Sequence, residues 1–424
     1  MSNKIVKRNG ILVDFNEEKI VKAIMKAMIA THNTSDEKDV LIAKNIANDI
    51  AEKESESDGP LTVETVQDMV EDGLRSNGAS DVAGAYHSYR MMHQEMREHR
   101  SKLEQEVEAK LMASDVQHQN ANVDEYSSSG RMGEARNVVT KAYALDHIMS
   151  DMARKNHVEN RIYTHDLDSY AVGLHNCLSV PFDKLLKNGF QVRQTSIRGA
   201  RSIGPAMQLV AVIFQLQSLQ QFGGVSATHI DWTMVPYIRI TFYKAYRDGM
   251  KYIAGKDMPE DLNEEMSIDD LRYQENEAVY RYAMDMTKRQ TYQAVEAMFH
   301  NLNSLQSRSG GQLPFTSINF GTCTLPEGRM VIRALLENSL AGVGKLHLTP
   351  IFPCSIFQCM KGVNRKPGDP NYDLYQLALK STSKRLYPNY ANVDWSGNAG
   401  YDPKDPKTYF STMGLAKLSS CKIF

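Results

Sequence analysis

The sequence predicts an α/β protein in which a small, mostly helical module precedes a larger domain. Three observations support this fold class. The chain has 424 residues, more than one hydrophobic core normally serves. A highly charged stretch at residues 96–117 separates the two regions, and helical and short extended segments alternate from about residue 202 to about residue 380. We therefore expect a module at 1–95, a helical linker at 96–117 and a large domain at 118–414.

Composition excludes several classes of protein. The formal net charge is -2, so the chain lacks the basic footprint of a nucleic-acid-binding protein. The N-terminus lacks the features of a secretion signal, and no apolar run is long enough to cross a bilayer. We expect a cytoplasmic protein with neither a membrane nor a nucleic acid as partner.

The cysteines are too sparse for a disulfide framework. The sequence contains five: Cys177, Cys323, Cys354, Cys359 and Cys421. Cys354 and Cys359 have a spacing compatible with a zinc knuckle or a redox pair, but no second pair lies close to them in the sequence. We predict buried core thiols for Cys323, Cys354 and Cys359, and no metal site.

The N-terminal module begins with a predicted hairpin. Asn9 and Gly10 separate two apolar runs, and both residue types tolerate the positive φ of a tight turn. Asn16 is a good N-cap for the helix that follows, and Thr62 is a good N-cap for a later one. A second helix is predicted at 36–53, and a final helix starts near Asp81.

Three cations lie near the hairpin and the first helix. Lys7, Arg8 and Lys19 can hold a polyphosphate through charge-assisted hydrogen bonds, although spacing alone favours solvated surface charges. The motifs around them are more specific. Val6-Lys7-Arg8-Asn9-Gly10, Phe15-Asn16 with Lys19-Ile20, and Leu61-Thr62 resemble the ATP-cone, a nucleotide-sensing module of ribonucleotide reductases. The resemblance implies that ATP or dATP, as allosteric effectors, contact six residues: Lys7, Arg8, Asn16, Lys19, Ile20 and Thr62.

The large domain opens with two predicted helices. Residues 134–157 have an amphipathic pattern, whereas residues 202–222 are much more apolar and are followed by Gly223 and Gly224, a usual signal for a helix C-terminus. The second helix is therefore expected to be buried.

Ordered motifs along this domain resemble the anaerobic, class III ribonucleoside-triphosphate reductases. They include His165-Asp166-Leu167-Asp168, Leu174-His175-Asn176-Cys177, Gln221-Phe222-Gly223-Gly224, His229-Ile230-Asp231, Thr316-Ser317-Ile318-Asn319-Phe320-Gly321 and Pro326-Glu327-Gly328-Arg329. The resemblance implies a ten-stranded α/β barrel of the glycyl radical enzyme type, a homodimer, and a radical-SAM activating enzyme as partner. It also implies reduction of ribonucleoside triphosphates for DNA synthesis, with formate as reductant.

The resemblance assigns roles to three residues. In this chemistry a thiyl radical removes the 3′-hydrogen of the ribose, and the 2′-oxygen then leaves as water. Cys177 would be the second cysteine of the site, which supplies a hydrogen atom to carbon 2′. His165 would line the nucleotide site, and Asn176 would bind ribose or formate. A buried core thiol, a structural histidine and a backbone-capping asparagine are the alternatives.

The chain departs from the family near its end. In the family, the Met-Gly pair that Met413-Gly414 resembles is followed by the radical cysteine, whereas here Leu415 follows and residues 415–424 form an unrelated tail. We expect the N-terminal fragment of a reductase, with an incomplete barrel at 118–414 that is inactive without a complementing C-terminal fragment. The glycyl radical and the C-terminal zinc site of the family are not expected in this chain.

Two other functions stay open. The chain could be a non-catalytic nucleotide-binding partner that regulates an intact reductase. It could also belong to a different glycyl radical enzyme, although the ATP-cone motifs argue against that.

Overall fold

A computed structural model describes residues 4–8, 10–33, 36–57, 59–112, 123, 127–173, 175–307, 312–395, 400–409 and 411–412. The chain divides into two compact units, Met1–Gln105 and Glu106–Phe424. Asn9, Leu174, Met413, Gly414 and the tail with Cys421 lie outside the described residues.

The first unit contains a hairpin and four helices. Strands β1 (Lys4–Val6) and β2 (Leu12–Asp14) are antiparallel, with Ile5 opposite Val13. Gly10 has a φ of 78°, the left-handed conformation that the turn requires. The helices are α1 (Glu17–His32), α2 (Glu37–Glu56), α3 (Val63–Ser76) and α4 (Ser80–Met112).

Side-chain caps fix where the helices begin. The Asn16 side chain accepts a hydrogen bond from the Lys19 amide at 3.2 Å, and the Thr62 hydroxyl accepts one from the Thr65 amide at 3.1 Å. A core of aliphatic side chains packs between the helices; it includes Ile20, Ile24, Met28, Ile46, Ile50, Val70 and Leu74.

Helix α4 is longer than the sequence pattern predicts. The final helix of the module and the charged helix of the linker form one continuous helix. The physical reason is local: after Gly84 the segment contains neither glycine nor proline and is rich in strong helix formers.

The second unit alternates helices and strands. Its helices are α5 (Ser128–Tyr143), α6 (Asp151–Val158), α7 (Leu167–Tyr170), α8 (Phe182–Asn188), α9 (Ile203–Ser218), α10 (Ile230–Thr233), α11 (Val235–Gly249), α12 (Leu271–Gln274), α13 (Glu277–Ser304), α14 (Pro326–Ala341) and α15 (Tyr372–Arg385). Its strands are β3 (Leu178–Ser179), β4 (Phe190–Val192), β5 (Thr195–Ile197), β6 (Val225–Ala227), β7 (Thr316–Phe320), β8 (Cys354–Cys359) and β9 (Asn389–Asn392).

Two predicted helices have different bounds in the structure. The segment predicted as one helix at 134–157 consists of α5, a π-helical turn at Ala144–Ile148 and α6. The helix is interrupted because Met149 is extended, and the Ser150 hydroxyl caps α6 by accepting a hydrogen bond from the Ala153 N–H. The buried helix predicted at 202–222 is α9, which ends at Ser218, before the two glycines.

Five of the strands form one parallel sheet in the order β3-β6-β7-β8-β9, while β4 and β5 form a separate hairpin. Ser226 pairs with Ser317, and Asn319 pairs with Ile356. The predicted α/β fold is confirmed, and the structure shows that its five-stranded sheet is parallel. The ten strands of a full barrel stay a prediction, since this sheet has five.

The two faces of the sheet differ in chemistry. Ile318 and Phe320 of β7 point into the large apolar core, which α9, α11, α13 and α14 also supply. Ser317 and Asn319 alternate with them and face the other way. Among the described residues, no helix is both long and apolar enough to cross a membrane.

Candidate active site and nucleotide site

The face of the sheet turned away from the apolar core is polar. Besides Cys354 and Ile356 of β8, the register of the strands places five polar side chains on this face: Ser179, Ser226, Ser317, Asn319 and Gln358. Parallel sheets usually bury apolar side chains on both faces. A face that carries hydroxyls and amides instead indicates a binding site; we call it the polar face.

Cys177 directly precedes β3 and lies two residues before Ser179. The backbone N–H of Gly224 donates to the Cys177 sulfur at 3.3 Å, and the Cys177 thiol donates to the Asn176 side-chain oxygen at 3.5 Å. The thiol is partly exposed. The structure therefore brings Cys177 and Asn176 together and fixes the position of the sulfur.

The two glycines beside Cys177 serve a close approach of two backbone segments, rather than the end of α9 as the sequence suggested. A Cβ atom on Gly223 would lie 2.5 Å from the Asn176 side-chain oxygen and 2.8 Å from the Cys177 amide nitrogen. Only glycine fits there without a shift of the backbone.

His165 is connected to this site through one aromatic residue. Its ring packs edge-on against Phe222, with 5.8 Å between the ring centroids, and its Nδ1 pairs with the neighbouring Asp166 carboxylate. Phe222 directly precedes Gly223. His165 is exposed, so it lies at the rim of the Cys177 site.

Gln221 was missed by the sequence reasoning. Its side chain is 2% exposed, and neither of its polar atoms has a hydrogen-bond partner among the described residues. The backbone of Gln221 forms an isolated β-bridge with His175, which lies two residues before Cys177 in the sequence. A buried amide without a partner is costly, so this position suits a bound water or a polar substrate atom.

A second missed group fixes the turn after β7. One oxygen of the buried Asp231 carboxylate accepts hydrogen bonds from the backbone N–H groups of Gly321, Thr322 and Cys323, at 2.9, 3.1 and 3.0 Å. The Asn371 side chain donates to the carbonyls of Gly321 and Cys323. Burial raises the pKa of both the Asp231 carboxyl and the Cys323 thiol. Cys323 is thus a protonated core thiol.

Cys354 and Cys359 do not form a pair. They lie five positions apart in β8, and an odd separation places their side chains on opposite faces of the sheet. Burial raises the pKa of both thiols. Across the parts of the chain that the structure describes, no cluster of three or more His, Cys, Asp or Glu side chains could hold a metal ion.

The first unit contains a cavity of about 590 Å³ between α1 and α4. We call it the cone cavity. Six cationic side chains line it: Arg8, Lys19, Lys22, Lys26, Arg90 and Arg97. Tyr86 and the exposed Tyr89 also line it. Cations beside aromatic rings are the groups that bind phosphates and stack on bases.

Two of the six predicted nucleotide contacts, Arg8 and Lys19, line the cone cavity. Asn16 and Thr62 use their side chains as helix caps, Ile20 is buried in the core, and Lys7 is exposed on the hairpin. Their contact with a nucleotide stays a prediction. The sequence reasoning missed Lys22 and Lys26, although their helical spacing from Lys19 was a usable signal.

Acidic side chains of α3 already engage two of the three arginines of the cone cavity, Arg8 and Arg90. Glu64 pairs with Arg8 and lies 2.8 Å from an Arg90 nitrogen; Asp68 and Glu71 lie 2.5 and 3.2 Å from Arg90. The hydrogen bond from Arg8 lowers the pKa of Glu64. A nucleotide phosphate that binds Arg8 must share it with Glu64 or displace that carboxylate.

Comparison with known proteins gives several named relatives. The anaerobic ribonucleoside-triphosphate reductase of Haemophilus influenzae is 31% identical over 93% of this chain and 53% of its own length. The reductase of the same name from Escherichia coli is 29% identical over 93% of this chain and 52% of its own length, and that of enterobacteria phage T4 is 32% identical over 68% and 44%. This chain spans about half the length of the first two relatives.

Among solved structures, the anaerobic ribonucleotide reductase of Thermotoga maritima in complex with dATP and CTP is 13% identical, with a TM-score of 0.45 over 72% of this chain and 50% of that one. Two family models match the sequence: the ATP cone domain at residues 3–95 and the anaerobic ribonucleoside-triphosphate reductase at residues 119–415. The second match covers more than half of the chain, which therefore belongs to the anaerobic ribonucleoside-triphosphate reductase family and carries an ATP cone domain.

Proposed function

We propose that this chain provides the ATP-cone and the part of the catalytic barrel that carries the second cysteine in an enzyme that reduces ribonucleoside triphosphates to deoxyribonucleoside triphosphates. The observation that carries the proposal is the Cys177 sulfur, which two hydrogen bonds hold beside Asn176 and Gly224. A thiol that only filled a core would not need a polar surrounding.

Cys177 acts as a hydrogen-atom donor in this proposal. After the 3′-hydrogen of the ribose has been removed and the 2′-oxygen has left as water, the Cys177 S–H bond breaks and its hydrogen atom bonds to carbon 2′. The sulfur keeps an unpaired electron until formate, the expected reductant, gives it a hydrogen atom and becomes the carbon dioxide radical anion. That anion passes its electron to the 3′-carbonyl and leaves as carbon dioxide. The reduced 3′-oxygen takes up a proton, and carbon 3′ recovers a hydrogen atom from the initiating cysteine. Asn176 holds the sulfur in place and is free on its exposed side to bind ribose or formate.

The other parts of the machinery follow from the family resemblance. The initiating thiyl radical, the glycyl radical that generates it and a four-cysteine zinc site would lie in the part of the relatives' sequences that the match does not cover. A radical-SAM enzyme would install the glycyl radical, and the enzyme would act as a homodimer or with a complementing C-terminal polypeptide. We place it in the cytoplasm, with ribonucleoside triphosphates as substrates and without a membrane or nucleic acid as partner.

An anaerobic turnover assay tests the catalytic role. The chain is combined with an activating enzyme and a C-terminal polypeptide from a relative, and deoxynucleotide product is measured. Cys177→Ser should abolish product, since an O–H bond is too strong to donate a hydrogen atom at the same rate. Cys359→Ser, on the other face of β8, should retain most activity. Equal activity of the two variants would contradict the proposal.

The cone cavity is proposed as the effector site for ATP or dATP. Its lysines and arginines would bind the triphosphate, and the exposed ring of Tyr89 would stack on the base. Calorimetric titration of the chain with ATP should detect binding that weakens about tenfold in Lys26→Ala. Lys38→Ala, a lysine of α2 outside the cavity, is the control. The absence of any heat at millimolar nucleotide would refute the effector site.

The cone cavity also supports a second candidate function, a non-catalytic regulator of an intact reductase. All of the side chains that line the cavity belong to the first unit, so nucleotide binding would not require the catalytic domain to be active. The regulator would co-purify with a full-length reductase and change its response to ATP, and Cys177→Ser would leave that effect intact.

A further inference from the structure

The segment at residues 400–409 and 411–412 crosses the carboxyl ends of the parallel strands. Tyr409 is buried against Met360 and Val393, which directly follow β8 and β9. The Lys407 ammonium lies 3.3 Å from the Asp183 carboxylate in α8, the helix that follows β3. The carboxyl ends of parallel strands are where such sheets bind their ligands. The segment thus contributes to the walls of that region.

Asn319 holds this segment at one backbone position. Its side chain is fully buried, its Nδ2 donates to the Thr412 carbonyl at 3.0 Å, and its Oδ1 accepts from the Thr412 N–H at 3.1 Å. The pair of bonds imitates one rung of a β-ladder. Ser226 Oγ and the Ala227 carbonyl, at 3.2 and 3.3 Å from Nδ2, fix the orientation of the amide.

We propose that Asn319 is a positioning residue that seats Thr412 on the polar face of the parallel sheet. Only one strand, β6, lies between β7 and β3. At about 4.8 Å per strand, Asn319 lies about 10 Å to the side of β3, and the register places it four residues further along the strands than the level of Cys177. The catalytic meaning of the contact rests on the proposed function, but the docking itself does not.

Hydrogen exchange measured by mass spectrometry on the whole chain tests the docking. In Asn319→Leu, which removes both bonds, the peptide containing Thr412 should exchange about tenfold faster, while peptides from β7 and β8 keep their protection. Asn319→Asp keeps the acceptor, but its second carboxylate oxygen would face the Thr412 and Ala227 carbonyls, so exchange at Thr412 should accelerate at least as much as in Asn319→Leu. Ser226→Ala is the matched control, because it keeps both bonds to Thr412; its exchange should stay within about threefold of the parent.

Unchanged exchange at Thr412 in Asn319→Leu would overturn the proposal. So would a loss of protection that extends equally through the sheet, because Asn319 would then support the fold rather than the segment. If Asn319→Leu does not fold, Thr412→Pro removes the N–H from the other partner and should give the same local acceleration. A failure of the turnover assay with normal exchange results would sink the proposed function and leave the docking in place.

Discussion

At the scale of single residues, buried side chains hold backbone that lies far from them in the sequence: Asp231 holds the turn after β7, and Asn319 holds Thr412. Asp231 and Asn319 were not predicted as functional. Their partners lie about ninety positions away in the sequence, Gly321 for Asp231 and Thr412 for Asn319. No local periodicity reports such contacts, because they arise only when strands from distant parts of the chain pair.

The glycine beside Cys177 gives a prediction at this scale. Gly223→Ala should destabilise the second unit by about 1–3 kcal/mol, because the added Cβ meets backbone and side-chain atoms of Asn176 and Cys177. Gly204→Ala is the control. That glycine lies in α9 with open space around it, so alanine should raise the free energy of unfolding by at most about 1 kcal/mol. Urea unfolding followed by the fluorescence of Trp232 and Trp395 measures both. Equal stability of the two variants would contradict the prediction.

Glu64 gives a second prediction. Glu64→Gln removes a carboxylate that competes with phosphate for Arg8, so the affinity for ATP should rise by about three- to tenfold. Asp72→Asn changes the charge by the same amount on the same helix but contacts only Arg75 among the described residues. Calorimetric titration of both variants decides. Weaker binding by Glu64→Gln would mean that the carboxylate orients Arg8 instead of competing for it.

At the scale of elements, the sequence reasoning succeeded where one residue type dictates local geometry. The hairpin around Gly10 and the helix starts at Asn16 and Thr62 all appear in the structure. It failed at helix ends that depend on their surroundings. The break between α5 and α6 comes from a π-helical turn, and α4 continues through the predicted linker because nothing in its sequence stops it.

The contact between the end of α1 and the start of α4 predicts a pH effect. His32 Nε2 lies 3.0 Å from the Asp81 carboxylate, and this hydrogen bond raises the pKa of His32. A raised pKa means that the bond contributes fully below the unfolded value of about 6.5 and is lost as the pH rises through the folded pKa. His32→Gln should therefore lower the thermal unfolding temperature of the first unit more at about pH 6 than at about pH 9.

Far-UV circular dichroism of the helical first unit measures this effect. Asp81→Asn should reproduce it, because it removes the other partner of the same bond. If His32→Gln lowered the thermal unfolding temperature equally at both pH values, the charge on His32 would not stabilise the fold.

At the scale of the whole molecule, the polar face was beyond the sequence reasoning. Strand β3 has two residues and β6 has three, too few to show the alternation that reveals which side of a strand is polar. The α/β class was accessible because it depends only on the order of helices and strands. The cone cavity could be predicted from the sequence only in part, because the residues that line it come from the hairpin and three separate helices.

Ligand binding gives a prediction at this scale. ATP at about one hundred times its dissociation constant should stabilise the first unit by about 2.7 kcal/mol. Hydrogen exchange should slow in peptides from α1 and α4, and peptides from β7 and β8 should not change. A uniform slowing in both units would show that nucleotide also binds the second unit or couples the two.

The all-parallel sheet also bears on how this protein is made. Each neighbouring pair of strands is joined only after a long crossover, as when Val225 of β6 meets Thr316 of β7. On the ribosome, β6 must wait for about ninety more residues before its partner emerges, at roughly 5–20 residues per second. During those seconds the edge of β6 that will pair with β7 is unprotected, so the yield of folded protein should rise at low temperature and with chaperones.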